Sequence, residues 1–307
     1  MAGDVRIESI DLLHGGVPGA IASWVVEGPS GWVLIESGPA STGQTLDEGL
    51  AKLGIDPASL SAVLLTHIHL DHAGGAWRFA EREVPVYVHP IGRPHLVDPT
   101  KLERSARRIF GDRFDGLWGP MRACSEDMVR SVAGGESVEA GGLHFVAVET
   151  PGHAMHHHAW HLQGSPSIFT GDAAAMRVPG TDWITIPMPP PEFDLEAWER
   201  TMDLLEAGPW SRFYLTHGGV VEDIAKHLGQ LRASLMMQVD WILRHGTDSG
   251  AAQSYRAWLR EQSNAWGVSD ALFAAHVSTG LLEMNLAGVS RWGGRQPDMP
   301  SQPSSGA

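Results

Sequence analysis

Seven residues carry the chemistry this sequence can do. His67-x-His69-x-Asp71-His72 gathers imidazole and carboxylate, natural ligands of zinc and of harder divalent ions, into one short run. Residues two apart on an extended segment point to the same side, so His67 and His69 can share an ion. Asp71 and His72 fall where the loop turns into a helix and can face a second ion. Three more candidates stand far along the chain. His153 follows Thr150-Pro151-Gly152, Asp172 follows Phe169-Thr170-Gly171, and His217 follows Tyr214-Leu215-Thr216 and precedes Gly218-Gly219. Each sits at the tip of an apolar strand with glycine beside it to permit a tight turn. A sheet whose strand ends converge would bring all of them together. The chain has 16 histidines. His14, His89, His95, His144, His227, His245 and His276 lack such a setting and are read as ordinary surface or core residues.

The elements that must position these residues are legible as apolar patterns. Ile21 to Glu27 and Gly31 to Ser37, separated by Gly28-Pro29-Ser30, predict a β-hairpin. Gln44 to Leu53 reads as a short helix with Leu46, Leu50 and Leu53 on one face. Leu60 to Leu65 is a buried strand that leads into the first histidine motif. A helix is expected from about 72 to 83 and a strand from Val84 to His89. Residues 91–135 have little strand character and are read as a helical insertion. Strands resume at Ser137 to Glu139, Leu143 to Glu149, His158 to Leu162 and Ser167 to Thr170. Trp198, Met202 and Leu205 then share a helical face, and Leu228, Leu231, Leu235, Val239 and Ile242 continue such a stripe. Helices are also expected near 251–264 and 269–285.

The run His67-x-His69-x-Asp71-His72, followed in order by His153, Asp172 and His217, resembles the metallo-β-lactamase superfamily. The resemblance covers about residues 5–220. It implies an α/β fold, the four-layer αββα sandwich, here with a helical insertion and a helical C-terminal region. The catalytic domain would be 1–220, with its insertion at 91–135; helices would fill 221–292, and 293–307 would be a flexible tail. The resemblance also implies two divalent ions, roughly 3.5–4 Å apart. One would be held by His67, His69 and His153, the other by Asp71, His72 and His217, with Asp172 bridging both. Asp71 and Asp172 are thus the candidate catalytic carboxylates, and a bridging hydroxide acidified by the ions would be the nucleophile. Zinc is the first choice of metal, with iron or manganese as alternatives.

The chain also departs from the family's pattern. Related hydrolases often read Thr-Pro-Gly-His-x-x-Gly-His around the third ligand. Here His157 matches the second histidine and His156 replaces the glycine. His157 is read as a supporting residue that orients the loop, and His156, His158 and His161 as structural. Where the family often has Leu-Ile-Asp-Thr-Gly, this chain has Leu34-Ile35-Glu36-Ser37-Gly38, and Glu36 takes the supporting role of the aspartate. Asp172 is followed by Ala173-Ala174-Ala175-Met176, without the tyrosine common in lactonases of this superfamily. The Tyr, Arg and Lys set that grips glutathione in hydroxyacylglutathione hydrolases has no obvious match.

Composition narrows the partners. The formal net charge is −14, which argues against nucleic acid, because a protein that grips a phosphate backbone shows a basic surplus. Residues 91–135 differ, since eight cations there face six carboxylates. Arg104, Arg107 and Arg108 are spaced so that at least two share a helix face. They are the candidate substrate contacts, and a small anionic ester, thioester, lactone or amide is the expected substrate. Trp118 and Trp183 are candidate pocket walls, with core packing as the default. A phosphodiesterase or ribonuclease, and a mononuclear iron persulfide dioxygenase, are the alternatives. Cys124 is the only cysteine, so no intrachain disulfide forms. Residues 1–13 carry no apolar leader and no membrane span is legible, which predicts a cytoplasmic protein. A homodimer is left open.

Overall fold

Two six-stranded sheets pack face to face and helices cover their outer faces. The structure is a computed structural model that describes residues 5–295. The first sheet runs in the order β1 (Ile7–Asp11), β2 (Ala22–Gly28), β3 (Gly31–Ile35), β4 (Ala62–Leu64), β5 (Val86–Val88) and β6 (Val129–Ser131). Its first three strands are antiparallel and β3 to β6 are parallel. The second half of the chain supplies β7 (Ser137–Ala140), β8 (Leu143–Glu149), β9 (His158–Leu162), β10 (Ser167–Phe169), a small ribbon of β11 (Met176–Arg177) and β12 (Ile184–Thr185), then β13 (Arg212–Leu215) and β14 (Gly219–Val221). The second large sheet has the order β14-β13-β10-β9-β8-β7.

Successive side chains on a strand face opposite ways, and here both faces are buried. Val25, Leu34, Val63, Val86 and Val88 face helices α1 (Gly43–Lys52), α2 (Leu70–Ala73) and α3 (Ala76–Ala80). Trp24, Val26, Val33, Ile35, Ala62 and Leu64 face the second sheet, where they meet Phe145, Ala147, Trp160, Leu162, Phe169 and Tyr214. That double burial is why the strands read as continuous apolar runs. Each fully buried valine, leucine, isoleucine or phenylalanine among them contributes about 1.5–3 kcal/mol. The insertion forms α4 (Arg93–Val97), α5 (Thr100–Phe110) and α6 (Phe114–Trp118). The outer layer on the second sheet is α7 (Leu195–Ala207) and α8 (Ile224–His245), followed by α9 (Ala251–Asn264), α10 (Asp270–His276) and α11 (Thr279–Gly293). These helices share one core with Ile168, Phe213 and Leu215 of the second sheet. The architecture is the expected αββα sandwich with a helical C-terminal region.

Four local expectations are corrected. The helix expected at 72–83 is two short helices, and it begins earlier, at Leu70. The break lies at Gly75, whose N–H bonds Gly38 O at 2.8 Å; a Cβ there would lie 3.0 Å from Ser37 O. A tertiary contact, not local propensity, decides it. The insertion is not wholly helical, because β6 at its end pairs with β5. The helix expected at 269–285 is α10 and α11, each opened by its own serine cap: Ser269 accepts from Leu272 N and Ser278 from Leu281 N. Finally, β1 has no counterpart among the expected strands. The tail from 296 lies outside the described residues. Among those described, no helix is long and apolar enough to cross a membrane.

Candidate metal centre

The ends of four strands converge at one edge of the sandwich. β10 and β13 are parallel, and β8 runs the same way because two antiparallel steps separate it from β10. Their C-terminal ends therefore lie together and release His153, Asp172 and His217. β4, from the other sheet, releases Thr66 to His72. Cross-sheet hydrogen bonds clamp this edge. His158 N and Trp160 Nε1 donate to Thr66 O and Leu65 O, each at 3.0 Å, and Trp24 Nε1 donates to Leu215 O at 2.9 Å. Gly171 has φ +49, and a Cβ there would lie 2.4 Å from Thr66 Oγ1, so glycine lets the Asp172 turn close onto the histidine loop.

All seven sequence candidates meet. His69 Nδ1 lies 2.9 Å from His67 Nε2 and 2.8 Å from His153 Nε2. On the other side, His72 Nε2 is 3.6 Å from Asp71 Oδ2, and His217 Nε2 is 3.4 Å from that oxygen. Asp172 lies between the groups. Its Oδ2 is 3.3 Å from His153 Nε2, and its Oδ1 is 3.3 Å from both His72 Nε2 and His217 Nε2. Three ligand groups follow: His67–His69–His153, Asp71–His72–His217, and His67–His72–Asp172. His67, His72, His153, Asp172 and His217 are buried, whereas His69 and Asp71 are partly exposed, so the site opens on their side.

The outward hydrogen bonds fix which nitrogen faces in. His153 Nδ1 donates to Pro187 O at 2.9 Å, His217 Nδ1 to Ala20 O at 2.5 Å, and His72 Nδ1 to Glu36 Oε1 at 3.1 Å. Thr66 Oγ1 donates to Glu36 Oε1 at 2.5 Å, so it accepts from His67 Nδ1 at 3.0 Å. A neutral imidazole whose outer nitrogen carries the proton presents a lone pair inward. In their neutral form, the state that binds a cation, His67, His72, His153 and His217 thus aim Nε2 lone pairs at shared points. Such atoms cannot hydrogen-bond one another, and Asp172 Oδ1 is buried without any hydrogen-bond partner. This donor set fits divalent cations.

The electrostatics separate the halves. Burial holds His67 well below the ordinary imidazole range, with His72 and His69 adding to it. Burial likewise pushes His69 down to about 3, with help from His153. Burial also opposes charge on His72 and His217, but Asp71 and Asp172 outweigh it, and His217 rises to about 10. For Asp71 and Asp172 burial works upward, yet the adjoining histidines, His72 first, hold both carboxyls below their usual range.

Both supporting candidates lie against the seven. Glu36 is fully buried and touches His72, Thr66 and Thr216. His157 is also fully buried. Its Nδ1 donates to Thr150 Oγ1 at 2.7 Å, and its Nε2 accepts from Asp172 N at 3.2 Å, so it ties the His153 loop to the Asp172 turn. The three arginines stand differently. α5 and α6 pack Leu102, Ala106, Phe110, Phe114 and Trp118 around Leu70, the residue between His69 and Asp71, which seats the insertion beside the opening. Arg104, Arg107 and Arg108 occupy the exposed face of α5. Arg107 is held by Glu103 and Asp115, at 2.9 and 2.8 Å, and its guanidinium lies over the Phe114 ring. Among the described residues, none of the three is hydrogen-bonded or ion-paired to the seven. Trp118 stacks on His14, and Trp183 packs against Phe273 in the core. Sequence reasoning missed Thr66, the carbonyls of Ala20 and Pro187, and Glu192, whose Oε2 lies 2.9 Å from His156 Nε2. The carbonyls carry no residue signature, whereas Thr66 adjoins the motif and was findable.

Comparison with known proteins bears on the family and the fold. A family model described as the metallo-beta-lactamase superfamily matches residues 16–217. A metallo-beta-lactamase fold-containing protein of Sulfurisphaera tokodaii is 28% identical over 188 residues, 59% of this chain and 70% of that protein. An atrochrysone carboxyl ACP thioesterase of Aspergillus fumigatus is 28% identical over 171 residues, 56% of this chain. The match spans 42% of that enzyme, less than half its length. Among solved structures, a metallo-beta-lactamase family protein from Thermus thermophilus superposes with a TM-score of 0.65 at 19% identity, covering 92% of this chain and 91% of its own. That likeness is one of fold.

Proposed function

The chain belongs to the metallo-beta-lactamase superfamily, and from that membership we propose that it is a dinuclear metal-dependent hydrolase of a small anionic ester or thioester. His67, His69 and His153 would hold one divalent cation, Asp71, His72 and His217 the other, with Asp172 shared. The observation that carries this reading is Asp172 itself, one carboxylate whose two oxygens face the two histidine groups at 3.3 Å. When bound, two such cations acidify water and polarise a scissile carbonyl.

The chain's own residues supply the rest. Glu36 and Thr66 hold His72 and His67 in the tautomers that bind a cation. His157 fixes the turn that carries Asp172. The partly exposed side of His69 and Asp71 is the way in for substrate, and the positive insertion beside it draws an anion in a protein of opposite overall sign. A thioester stands first among the substrates because one relative is named as a thioesterase. A lactone stands lower, because Ala173, Ala174 and Ala175 are buried and apolar where a phenol would be needed. The test is metal counting on protein never exposed to chelators, followed by thioesters, lactones and phosphodiesters offered to zinc-, iron- and manganese-loaded enzyme. Two metals per chain with thioester or ester turnover is the expected result. A single iron with consumption of dioxygen and a persulfide would replace this reading, as would cleavage of phosphodiesters alone.

A further inference from the structure

His156 and Glu192 lie outside the seven ligands but beside one of them. His156 takes the place of a glycine in the motif above. It is buried, and its Nδ1 has no hydrogen-bond partner. Its Nε2 comes within 2.9 Å of Glu192 Oε2, yet that oxygen, also buried, accepts no well-directed hydrogen bond. The two atoms therefore approach closely without pointing at one another. The His156 ring stands edge-on to that of His69, with centroids 5.4 Å apart. One donor atom from each of His69, His156 and Glu192 lies within 4.8 Å of the others. His69 Nδ1 faces His67 and His153, so a cation shared with this group would use the ring's other nitrogen, Nε2, after it loses its proton.

The three residues are held from three directions. His69 comes from the first histidine loop. His156 sits in the turn closed by His157 N donating to Ala154 O. Glu192 sits in a turn closed by Glu192 N and Phe193 N, which both donate to Pro189 O. The segment leading to that turn is pinned by buried Asn285 of α11, which donates to Ile186 O at 2.7 Å and accepts from Met188 N at 2.8 Å. Two imidazoles and one carboxylate are a recognised zinc donor set, open at a fourth position. Glu192 is about a quarter exposed, so an ion can reach it from solvent.

We propose that His69, His156 and Glu192 form an additional divalent-cation position at the edge of the centre, in which His69 is shared with the three-histidine group. It is filled after the others because the His69 ring must first give up its remaining N–H proton to water and bridge the two cations as imidazolate. The position goes beyond the dinuclear reading, and its test does not depend on how many cations the seven ligands hold.

Metal-free full-length protein is dialysed to equilibrium against zinc chloride, the bound metal is counted, and a parallel cobalt(II) titration is followed by visible absorption. The wild type should take up one more equivalent than Glu192→Gln and than His156→Gly, and the last cobalt increments should lack their absorption change in both variants. Glu192→Gln keeps size and shape, so it remains informative if His156→Gly does not fold. Equal stoichiometry in wild type and Glu192→Gln overturns the proposal. A wild type with two equivalents and variants with one would uphold this position and overturn the dinuclear reading instead.

Discussion

Glu36 Oε1 stands 3.1 Å from His72 Nδ1, with both side chains fully shut off from solvent. The same carboxylate takes the Thr66 hydroxyl, through which it reaches His67, and lies 3.4 Å from Thr216 Oγ1. One buried acid thus fixes a donor in each half of the centre. Its backbone is in the left-handed region, at φ 65, which costs about 1–3 kcal/mol for a residue other than glycine. The longer side chain of glutamate reaches from there to both halves.

Replacing this acid tests the arrangement. Glu36→Gln keeps the shape but can present an N–H where His72 needs an acceptor. We expect metal affinity to fall about 10–100-fold, the usual loss when the partner of a ligand is removed. Glu36→Ala strips a buried partner from several donors and should cost about 3–5 kcal/mol of stability. Metal titration and denaturant unfolding read the two effects separately. Wild-type affinity in Glu36→Gln would show that His72 is oriented by something else.

Asp172 is the second test. Asp172→Ala removes the one charge facing both groups, so bound metal should drop and hydrolysis should nearly vanish. His161→Ala is the control. That ring is half-buried, donates to Ser167 O, and lies edge-on to Trp210 away from the seven. Equal losses at the two positions would mean that the shared ligand has been misassigned.

How far the centre was legible can be judged from these residues. The seven candidate ligands could be read because they follow recognisable apolar strands: His67 to His72 come after β4, and His153, Asp172 and His217 come after β8, β10 and β13. Glu36 and His157 could be read because they align with a motif. The divided helix after Leu70 could not, since its break depends on Gly75 meeting Gly38, which local sequence does not encode. β6 was hidden because an edge strand of three residues ending in exposed Arg130 and Ser131 has no pattern to find. From the sequence alone His156 reads as structural. Its partner Glu192 comes from a turn fixed by a helix near the other end of the chain, and only the fold brings them together.

The metal-free protein should have a bell-shaped dependence of stability on pH. His217 is raised to about 10 in the fold. It therefore contributes stability that is fully present below the unfolded imidazole value of about 6.5 and is lost as pH rises through about 10. His72, also raised, acts in the same direction. His69 is lowered to about 3, so it must stay neutral while the unfolded chain takes up protons. Its contribution is lost as pH falls below about 6.5 toward 3, and His67 acts likewise. The thermal midpoint of metal-free protein should peak near neutrality and decline on both sides. His217→Ala should flatten the alkaline limb. A midpoint that climbs steadily to pH 9 would contradict the assignment of charge to His217.

The arginines of α5 divide into two kinds. Arg107 is occupied, paired with Glu103 and Asp115 and lying over Phe114. Phe114 in turn packs with Leu70 in the metal loop. Arg107→Ala should therefore act through the insertion, loosening its seat beside the centre and lowering stability. Arg104 and Arg108 are exposed on the same helix, and among the described residues no carboxylate answers their charge. If the substrate is anionic, these two draw it toward the opening between His69 and Asp71. Their contact would be to a group that does not react. Binding energy lost equally from ground state and transition state raises KM and leaves kcat nearly unchanged. An exposed charge contact of this kind is worth about 0.2–1 kcal/mol, so each substitution to alanine should raise KM by about 1.5–5-fold. The double variant should raise it further, and added salt should shrink the difference because exposed charges are screened. Steady-state kinetics at two ionic strengths on Arg104→Ala, Arg108→Ala and the pair makes the measurement. If both keep wild-type kcat/KM at low salt, the positive insertion does not select substrate charge and α5 serves only to cover Leu70. The proposed metal ligands would be untouched by that outcome, because no arginine of α5 holds any of them.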